Sequence, residues 1–241
     1  KNQQLKKVRT KRMINKVELI DWYGGDKAIA RAAWTSTSTD VELKTDEQIR
    51  DLLVNKLWNN GSGKPHKSPF ERGIVEFNIT CDTASHIHII KHRLANVNGQ
   101  SARYREIKED NYLLPEDWGN IKISQTDLGS PSDTWIERLK EYSEEGNRLY
   151  HECTKDLTPV LGRKRAKESA RFFKTYNSQL TLSVMMNMSC FYNFYTLRSD
   201  SAAQLEIQEI AIKMLKVIED IEGNPFKYTL EAFNIKSTKY E

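Results

Sequence analysis

The chain has 241 residues, of which 38% are hydrophobic and 10% are aromatic, and its formal net charge is +4. This length and composition allow a buried core, which excludes a disordered chain, and the longest apolar runs are too short to cross a bilayer. The three cysteines have neither a metal-binding spacing nor an even number for disulfides, so we expect them to be packing residues of a cytoplasmic protein.

The charge is unevenly distributed along the chain. Residues 1–16 contain seven lysines and arginines and no acid, so we predict a basic tail, then a single domain over residues 17–235 and a short tail at residues 236–241. Such a tail can bind nucleic acid, but a solvated segment is the more common explanation. No aromatic side chains stand between the cations to stack on bases, which argues against nucleic acid as a partner.

The first half of the domain is predicted to alternate strands and helices. Residues 17–22 are typical of a strand, residues 26–34 of a helix, and residues 46–58 of a second helix with apolar side chains on one face. A glycine-rich loop follows at residues 59–67. Residues 74–80 alternate apolar and polar residues, as a half-buried strand does, and Asp82 is placed to cap a helix that runs to about residue 95.

The second half is predicted to be mainly helical. After a loop rich in proline and glycine, residues 131–154 and residues 201–221 each have the period of an amphipathic helix. Residues 180–188 fit either a strand or a buried helix. Together these elements predict an α+β fold, in which an antiparallel or mixed sheet is flanked by helices.

Residues 91–105 combine several cations with small turn residues. Lys91, His92 and Arg93 fall at the end of the predicted helix, where cations suit the negative end of the helix dipole. Asn98-Gly99 is a strong turn pair, and we expect the turn to bring backbone N–H groups and guanidinium groups to one anion. The segment therefore predicts binding of a phosphate or a pyrophosphate.

The same residues carry a family resemblance. Lys91-His92-Arg93, then seven residues, then Ser101-Ala102-Arg103-Tyr104 resemble the Arg-His-Arg, seven residues, Ser-x-Arg-Tyr motif of flavin-dependent thymidylate synthases. Other segments resemble family motifs in the same order: Arg31-Ala32-Ala33-Trp34-Thr35-Ser36, His66-Lys67-Ser68-Pro69-Phe70-Glu71, Glu168-Ser169-Ala170-Arg171, then Asn187, Asn193 and residues 197–208. The resemblance covers roughly residues 17–235.

The resemblance implies an enzyme that methylates dUMP at C5 to dTMP, with FAD as cofactor, NADPH as reductant and 5,10-methylenetetrahydrofolate as carbon donor. It also implies a homotetramer with shared active sites. The implied catalytic residues are Arg198, which would polarise the uracil ring, and His66, near flavin and folate. The implied FAD-binding residues are Ser36, Ser68, Lys91, His92, Arg93, Leu94, Asn187 and Asn193. The implied dUMP-binding residues are His88, Gly99, Gln100, Ser101, Ala102, Arg103, Arg171 and Arg198.

Ordinary structural roles compete with these assignments. The three site arginines could form surface ion pairs, the two asparagines could satisfy loop backbone, and His66 could be an ordinary loop histidine. His88 and His92 lie four residues apart and would share a helix face, which invites a metal hypothesis. No Glu between them and no third ligand completes a zinc motif, so we predict no metal.

Four positions depart from the family pattern. Gly99 stands where the family usually has Glu or Gln, His88 where Gln is frequent, Ser189 where Arg can occur, and Ala202 where some members have His. Gln100 could substitute for the side chain that Gly99 lacks. These changes keep two alternatives open: an enzyme that methylates or hydroxymethylates another pyrimidine nucleotide such as UMP or dCMP, and a non-catalytic flavin- or nucleotide-binding protein. A third alternative, a nucleic-acid-binding module, rests on the basic tail and the cations of residues 91–105.

Overall fold

The computed structural model describes residues 14–37, 44–92, 94–101, 103–124 and 133–237. The chain divides into two compact units. The sheet unit comprises Asn15–Thr80, Ile87–Gly99 and Thr181–Glu241, and the long-helix unit comprises Lys1–Ile14, Cys81–His86 and Gln100–Leu180. Most of the predicted basic tail lies outside the described residues.

The four described strands form one sheet. They are β1 (Lys16–Tyr23), β2 (Ile74–Asp82), β3 (Asn96–Gly99) and β4 (Gln179–Asn187), in the spatial order β1-β2-β4-β3. β1 runs antiparallel to β2, and β3 runs antiparallel to β4. Alternate residues of β2, namely Val75, Phe77 and Ile79, are fully buried, as the predicted alternation requires.

Helices account for most of the remaining structure. In chain order they are α1 (Gly25–Trp34), α2 (Asp46–Arg50), α3 (Thr83–Ile90), α4 (Trp135–Ala170), α5 (Met188–Arg198), α6 (Leu205–Glu219) and α7 (Lys227–Phe233). α2 continues as a π-helical segment, Asp51–Trp58, so the predicted helix over residues 46–58 is confirmed. The apolar stripe of α6 is fully buried at Ile207, Ile210 and Met214. The predicted α+β fold, in which helices flank a sheet, is confirmed.

Two predictions about residues 91–99 are wrong. The helix that Asp82 caps, through its bond to the Ser85 N–H at 2.8 Å, ends at Ile90 rather than near residue 95. Asn98 and Gly99 do not form a turn, because both belong to β3, where Gly99 lies opposite Leu182 of β4. Pairing with a neighbouring strand outweighs the local turn preference of an Asn-Gly pair.

The long helix was also placed incorrectly. α4 begins at Trp135, after Thr134, whose hydroxyl accepts the Glu137 N–H at 3.3 Å, and it extends to Ala170 rather than to residue 154. Pro159 lies inside it, and its only non-helical residue is Gly162, with φ of 75°. Residues 180–188 form a strand, and the predicted helix over residues 201–221 begins at Leu205. α5, α7 and β3 were not predicted.

The described part of the chain lacks two further classes of feature. None of its helices combines the length and the apolar character that a membrane crossing needs. Within the same residues, no three His, Cys, Asp or Glu side chains are grouped so that they could hold a metal ion.

Candidate active site

In the long-helix unit, residues 101–105 form a tight turn. The Ser101 carbonyl accepts the N–H groups of Tyr104 at 3.1 Å and of Arg105 at 3.0 Å, and the Ser101 hydroxyl accepts the Arg103 N–H at 3.3 Å. This turn was not predicted, since the sequence pattern indicated a turn at residues 98–99 instead, which belong to β3. Ala102, a sequence-predicted site residue, lies outside the described residues.

This turn directs Arg103 against the end of α4. The Nε atom of Arg103 donates to Oε1 of Glu168 at 2.5 Å, and Nη1 of Arg165 lies 3.6 Å from the other carboxylate oxygen. The hydrogen bond from Arg103 lowers the pKa of Glu168, so its carboxylate is ionised at neutral pH. Because the ion pair uses Nε, the two Nη groups of this half-exposed arginine remain available for an anion.

Arg171 lies in a 3₁₀ turn, Arg171–Phe173, directly after α4. Its side chain is exposed and pairs with no carboxylate in the described part of the chain. The turn packs closely on α4, because a Cβ atom added to Gly146 would lie 2.5 Å from the Phe173 carbonyl oxygen. The Lys174 N–H closes the turn by donating to the Arg171 carbonyl at 3.0 Å. Ser101, Arg103 and Arg171 thus all belong to the long-helix unit.

In the sheet unit, Arg198 and His92 contact one another although 106 residues separate them in sequence. The Nε atom of Arg198, the last residue of α5, donates to Nε2 of His92 at 3.2 Å. The His92 ring also packs edge-on against Phe194, one helical turn earlier in α5, with the ring centroids 4.9 Å apart. The structure therefore joins a residue predicted to bind FAD to the residue predicted to act on the substrate.

The hydrogen bond from Arg198 fixes the proton on His92. Because an arginine N–H can only donate, Nε2 of His92 must be the unprotonated nitrogen, and a neutral ring carries its proton on Nδ1. Burial lowers the pKa of His92, and the charges of Arg198 and His88 lower it further. The neutral imidazole leaves the guanidinium charge of Arg198 uncompensated, so Arg198 can stabilise negative charge that develops on a bound ring.

The two predicted asparagines lie at the start and on the second turn of α5. The Oδ1 atom of Asn187 accepts the Cys190 N–H at 2.8 Å and so caps the helix, while its amide NH₂ group can donate to a ligand. The Oδ1 atom of Asn193 accepts a hydrogen bond from Nζ of Lys67 at 3.2 Å. The Lys67 ammonium also lies 5.1 Å from the centre of the Tyr192 ring and 5.9 Å from that of Trp58.

The other predicted residues of the sheet unit are placed as follows. His66 and Ser68 are exposed beside Lys67, and His66 is fixed through its backbone N–H, which donates to the Leu57 carbonyl at 2.8 Å. Ser36 is exposed at the end of α1, where its hydroxyl donates to the Ala33 carbonyl at 3.3 Å. Lys91 and Leu94 are exposed after α3, and His88 is half-buried within it. Arg93 lies outside the described residues.

Gly99 and Gln100 lie where β3 ends. Gly99 has no side chain to offer a ligand and is paired with β4. The Nε2 atom of Gln100 is buried and has no hydrogen-bond partner among the residues that the structure describes. A buried amide donor without a partner is costly, so this group has free capacity for an acceptor on a ligand.

Sequence reasoning missed the roles of two residues at the site. Lys67 stands at a variable position of the His66 to Glu71 segment, and no local pattern indicates that it reaches Asn193. Glu168 is the first residue of the Glu168-Ser169-Ala170-Arg171 motif, but its contact with Arg103 was not predicted, because Arg103 is 65 residues earlier in the chain. Both contacts join segments that only the fold brings together.

Comparisons with known proteins agree on one family. The model of the family described as thymidylate synthase complementing protein matches residues 18–222. A flavin-dependent thymidylate synthase of Pseudothermotoga lettingae is 30% identical over 219 residues, which are 90% of this chain and 89% of that protein. The enzyme of the same name from Thermotoga neapolitana is 30% identical over 218 residues, with the same two shares.

A solved structure has a similar fold. The crystal structure of a UMP/dUMP methylase, PolB from Streptomyces cacaoi, bound with 5-Br dUMP, superimposes with a TM-score of 0.72 at 22% sequence identity. The match covers 92% of this chain and 96% of that chain. The structure of the same methylase bound with 5-Br UMP gives a TM-score of 0.68.

Proposed function

Because the chain belongs to the family of thymidylate synthase complementing proteins, we propose that it is a flavin-dependent methyltransferase that converts dUMP to dTMP. We propose FAD as its cofactor, NADPH as its reductant and 5,10-methylenetetrahydrofolate as its carbon donor. The observation that carries the proposal is the family match over residues 18–222, which includes every residue that the resemblance assigns to the site.

The described residues fit a flavin. Its ring system presents mainly hydrogen-bond acceptors, and the chain offers the Asn187 amide group, the Lys67 ammonium and the Nδ1–H group of His92 as donors. We propose that these residues, with Asn193 orienting Lys67, hold the ring. FAD, when bound, supplies the redox chemistry of the reaction, and the chain supplies binding, orientation and charge.

The long-helix unit supplies the proposed phosphate ligands of the nucleotide. The turn at Ser101 directs the Arg103 side chain toward α4, where Glu168 holds it in an ion pair. Arg171 forms no ion pair with any residue in the described ranges. Two guanidinium groups on elements fixed to one helix are preorganised for a phosphate. We propose that Arg103, Arg171 and Ser101 bind the phosphate of dUMP.

Arg198 is the proposed catalytic residue. With its neighbour His92 neutral, the guanidinium charge is available to a uracil carbonyl, where it would stabilise negative charge as C5 becomes nucleophilic. A cysteine nucleophile is not needed for this route. Burial raises the pKa of the Cys81 and Cys190 thiols, so neither is an activated thiolate.

We also propose the homotetramer that the resemblance implies. Exposed aromatic side chains support it, since Phe172 and Tyr176 in the long-helix unit are 83% and 70% exposed, close in sequence to Arg171. Large apolar side chains at this exposure are typical of surfaces that another subunit covers. Light scattering on the purified protein measures the subunit number directly.

A second candidate function is methylation or hydroxymethylation of another pyrimidine nucleotide. It is favoured by Gly99, which provides no side chain to read the nucleotide, and by the unpartnered Nε2 atom of Gln100, which adds a donor nearby in sequence. Supplying dUMP, UMP and dCMP in competition separates the two candidates. A non-catalytic homologue would bind FAD but show no nucleotide-dependent reoxidation of the reduced flavin.

The test of the site is Arg198→Ala. We expect turnover to fall by about 10²- to 10³-fold, because one preorganised charge is removed, while FAD stays bound. The matched control is Arg148→Ala, an exposed arginine of α4 whose carboxylate partners among the described residues are Glu145 and Glu152. Full activity of Arg198→Ala would refute the assignment of Arg198.

A further inference from the structure

A cleft on the long-helix unit is lined mostly by cations. Its volume is about 540 Å³, and the residues that line it are Tyr104, Arg105, Glu106, Lys108, Arg163 and Lys167. Four cationic side chains thus surround one carboxylate. That carboxylate, Glu106, accepts a hydrogen bond from Nη2 of Arg163 at 3.2 Å, and Arg105 forms an ion pair with Glu109, so two of the four cations already have a carboxylate partner.

Lys167 makes this cleft different from an ordinary basic surface. The residue is only 6% exposed, and its ammonium group donates to the Tyr104 carbonyl at 3.0 Å. Among the residues that the structure describes, no carboxylate pairs with it, and the adjacent Glu168 is bonded to Arg103 instead. Burying an ammonium charge without a counter-ion is costly, so an anion in the cleft would balance a charge that the chain leaves unbalanced.

Both walls of the cleft are held in place. Arg163 and Lys167 are four residues apart in the last section of α4, after the break at Gly162, so they lie on one helix face. The opposite wall is fixed where the Ile107 N–H donates to the Tyr150 hydroxyl at 3.1 Å, and where Lys167 holds the Tyr104 carbonyl. A ligand would therefore meet donors that are already positioned.

We propose that this cationic cleft binds a phosphate-bearing small molecule, with Lys167 and Arg163 as its principal ligands. This cleft is separate from the proposed site of Ser101, Arg103 and Arg171 for the substrate phosphate. Only this separation of two phosphate sites rests on the proposed function. Phosphate fits better than a carboxylate, because its several oxygens can accept hydrogen bonds from Lys108, from Lys167 and from the other N–H groups of Arg163 at the same time.

The test is calorimetric titration of inorganic pyrophosphate into the full chain, with and without saturating dUMP. We expect one pyrophosphate to bind per chain in the presence of dUMP. Lys167→Met, which keeps the side-chain volume but removes the charge, and Arg163→Gln should each weaken this binding about tenfold or more. Arg163 is 69% exposed, so its substitution leaves the fold intact even where Lys167→Met does not.

Two control variants define the position. Arg148→Gln and Lys155→Met change exposed residues of α4 that do not line the cleft, and each should leave pyrophosphate binding in the presence of dUMP unchanged. The proposal is overturned if wild type binds no pyrophosphate, if Arg163→Gln binds it as wild type does, or if dUMP displaces it. Equal binding of tri-γ-glutamate would overturn the preference for phosphate.

The proposed function can fail separately. Retained pyrophosphate binding by a protein that methylates no pyrimidine nucleotide would support the cationic cleft and refute the proposed reaction.

Discussion

Lys174 is a mostly buried cation three residues after Arg171, and we predict the effect of its substitution. Its side chain is 8% exposed, and its ammonium donates to Oδ1 of Asp110 and Oδ1 of Asn147, both at 2.7 Å. It also lies 4.6 Å from the centre of the Tyr150 ring. Because Lys174 closes the turn that carries Arg171, these contacts fix that turn to α4.

The expected cost of Lys174→Met follows from these contacts. Two charge-assisted hydrogen bonds are lost, each worth about 1.5–3 kcal/mol, and two acceptors lose their donor. Three effects oppose the loss: the ammonium no longer has to be desolvated, Asp110 is 32% exposed, and His151 still contacts Asp110 at 2.9 Å. Burial already lowers the pKa of Lys174, so the ammonium is not ideally stabilised. We therefore expect a net loss of about 2–3 kcal/mol.

Thermal and urea unfolding measure this loss. For a chain of this size it corresponds to a fall in Tm of roughly 5–10 °C. Lys155→Met, on the exposed face of α4, should change Tm by less than about 2 °C. A double-mutant cycle with Asp110→Asn should give a coupling energy of about 2 kcal/mol. Equal Tm values for Lys174→Met and Lys155→Met would refute the reasoning.

Three further predictions concern the elements that carry the site. Asn187→Ala removes the cap of α5 and should lower the free energy of unfolding, measured with urea, by about 1 kcal/mol. Asn187→Ser can still cap the helix and should lose much less; an equal loss in the two variants would contradict the capping role. Gly146→Ala places a Cβ against the Phe173 carbonyl and should weaken dUMP binding more than FAD binding in equilibrium titrations; equal loss of both would argue against a local effect. The pKa of His92 is lowered in the fold, so the unfolded chain takes up its proton first, and stability should fall as pH drops below about 6.5. This fall should be smaller in His92→Gln, and identical pH profiles would exclude His92 as its source.

Much of the fold follows from periodicity in the sequence. The alternation at residues 74–80 correctly predicted β2, and the apolar stripes of residues 46–58 and of α6 correctly predicted helices. These predictions succeed because each element buries one face, and the buried face sets the period of its apolar residues. β3 was missed because its strand state depends on pairing with β4, whereas its Asn-Gly pair locally favours a turn. α5 was missed because its buried residues surround the helix, so no stripe marks it.

The candidate site shows the same division between local and long-range information. Motifs identified which arginines, histidines and asparagines to consider, but not their partners. The bond between His92 and Arg198, and the contacts of Lys67 with Asn193 and of Arg103 with Glu168, join residues 65 to 126 positions apart. Such contacts form only when distant segments pack together in the fold, and no local pattern in the sequence indicates which segments will meet.

The most direct test of the proposed reaction is release of tritium from C5-labelled dUMP by the purified protein. The assay contains FAD, NADPH and 5,10-methylenetetrahydrofolate, and each is omitted in turn. Methylation at C5 must expel the hydrogen that C5 carries, so we expect release that requires all three components. A protein that holds FAD but releases no tritium with the complete mixture would contradict the proposal that it methylates dUMP.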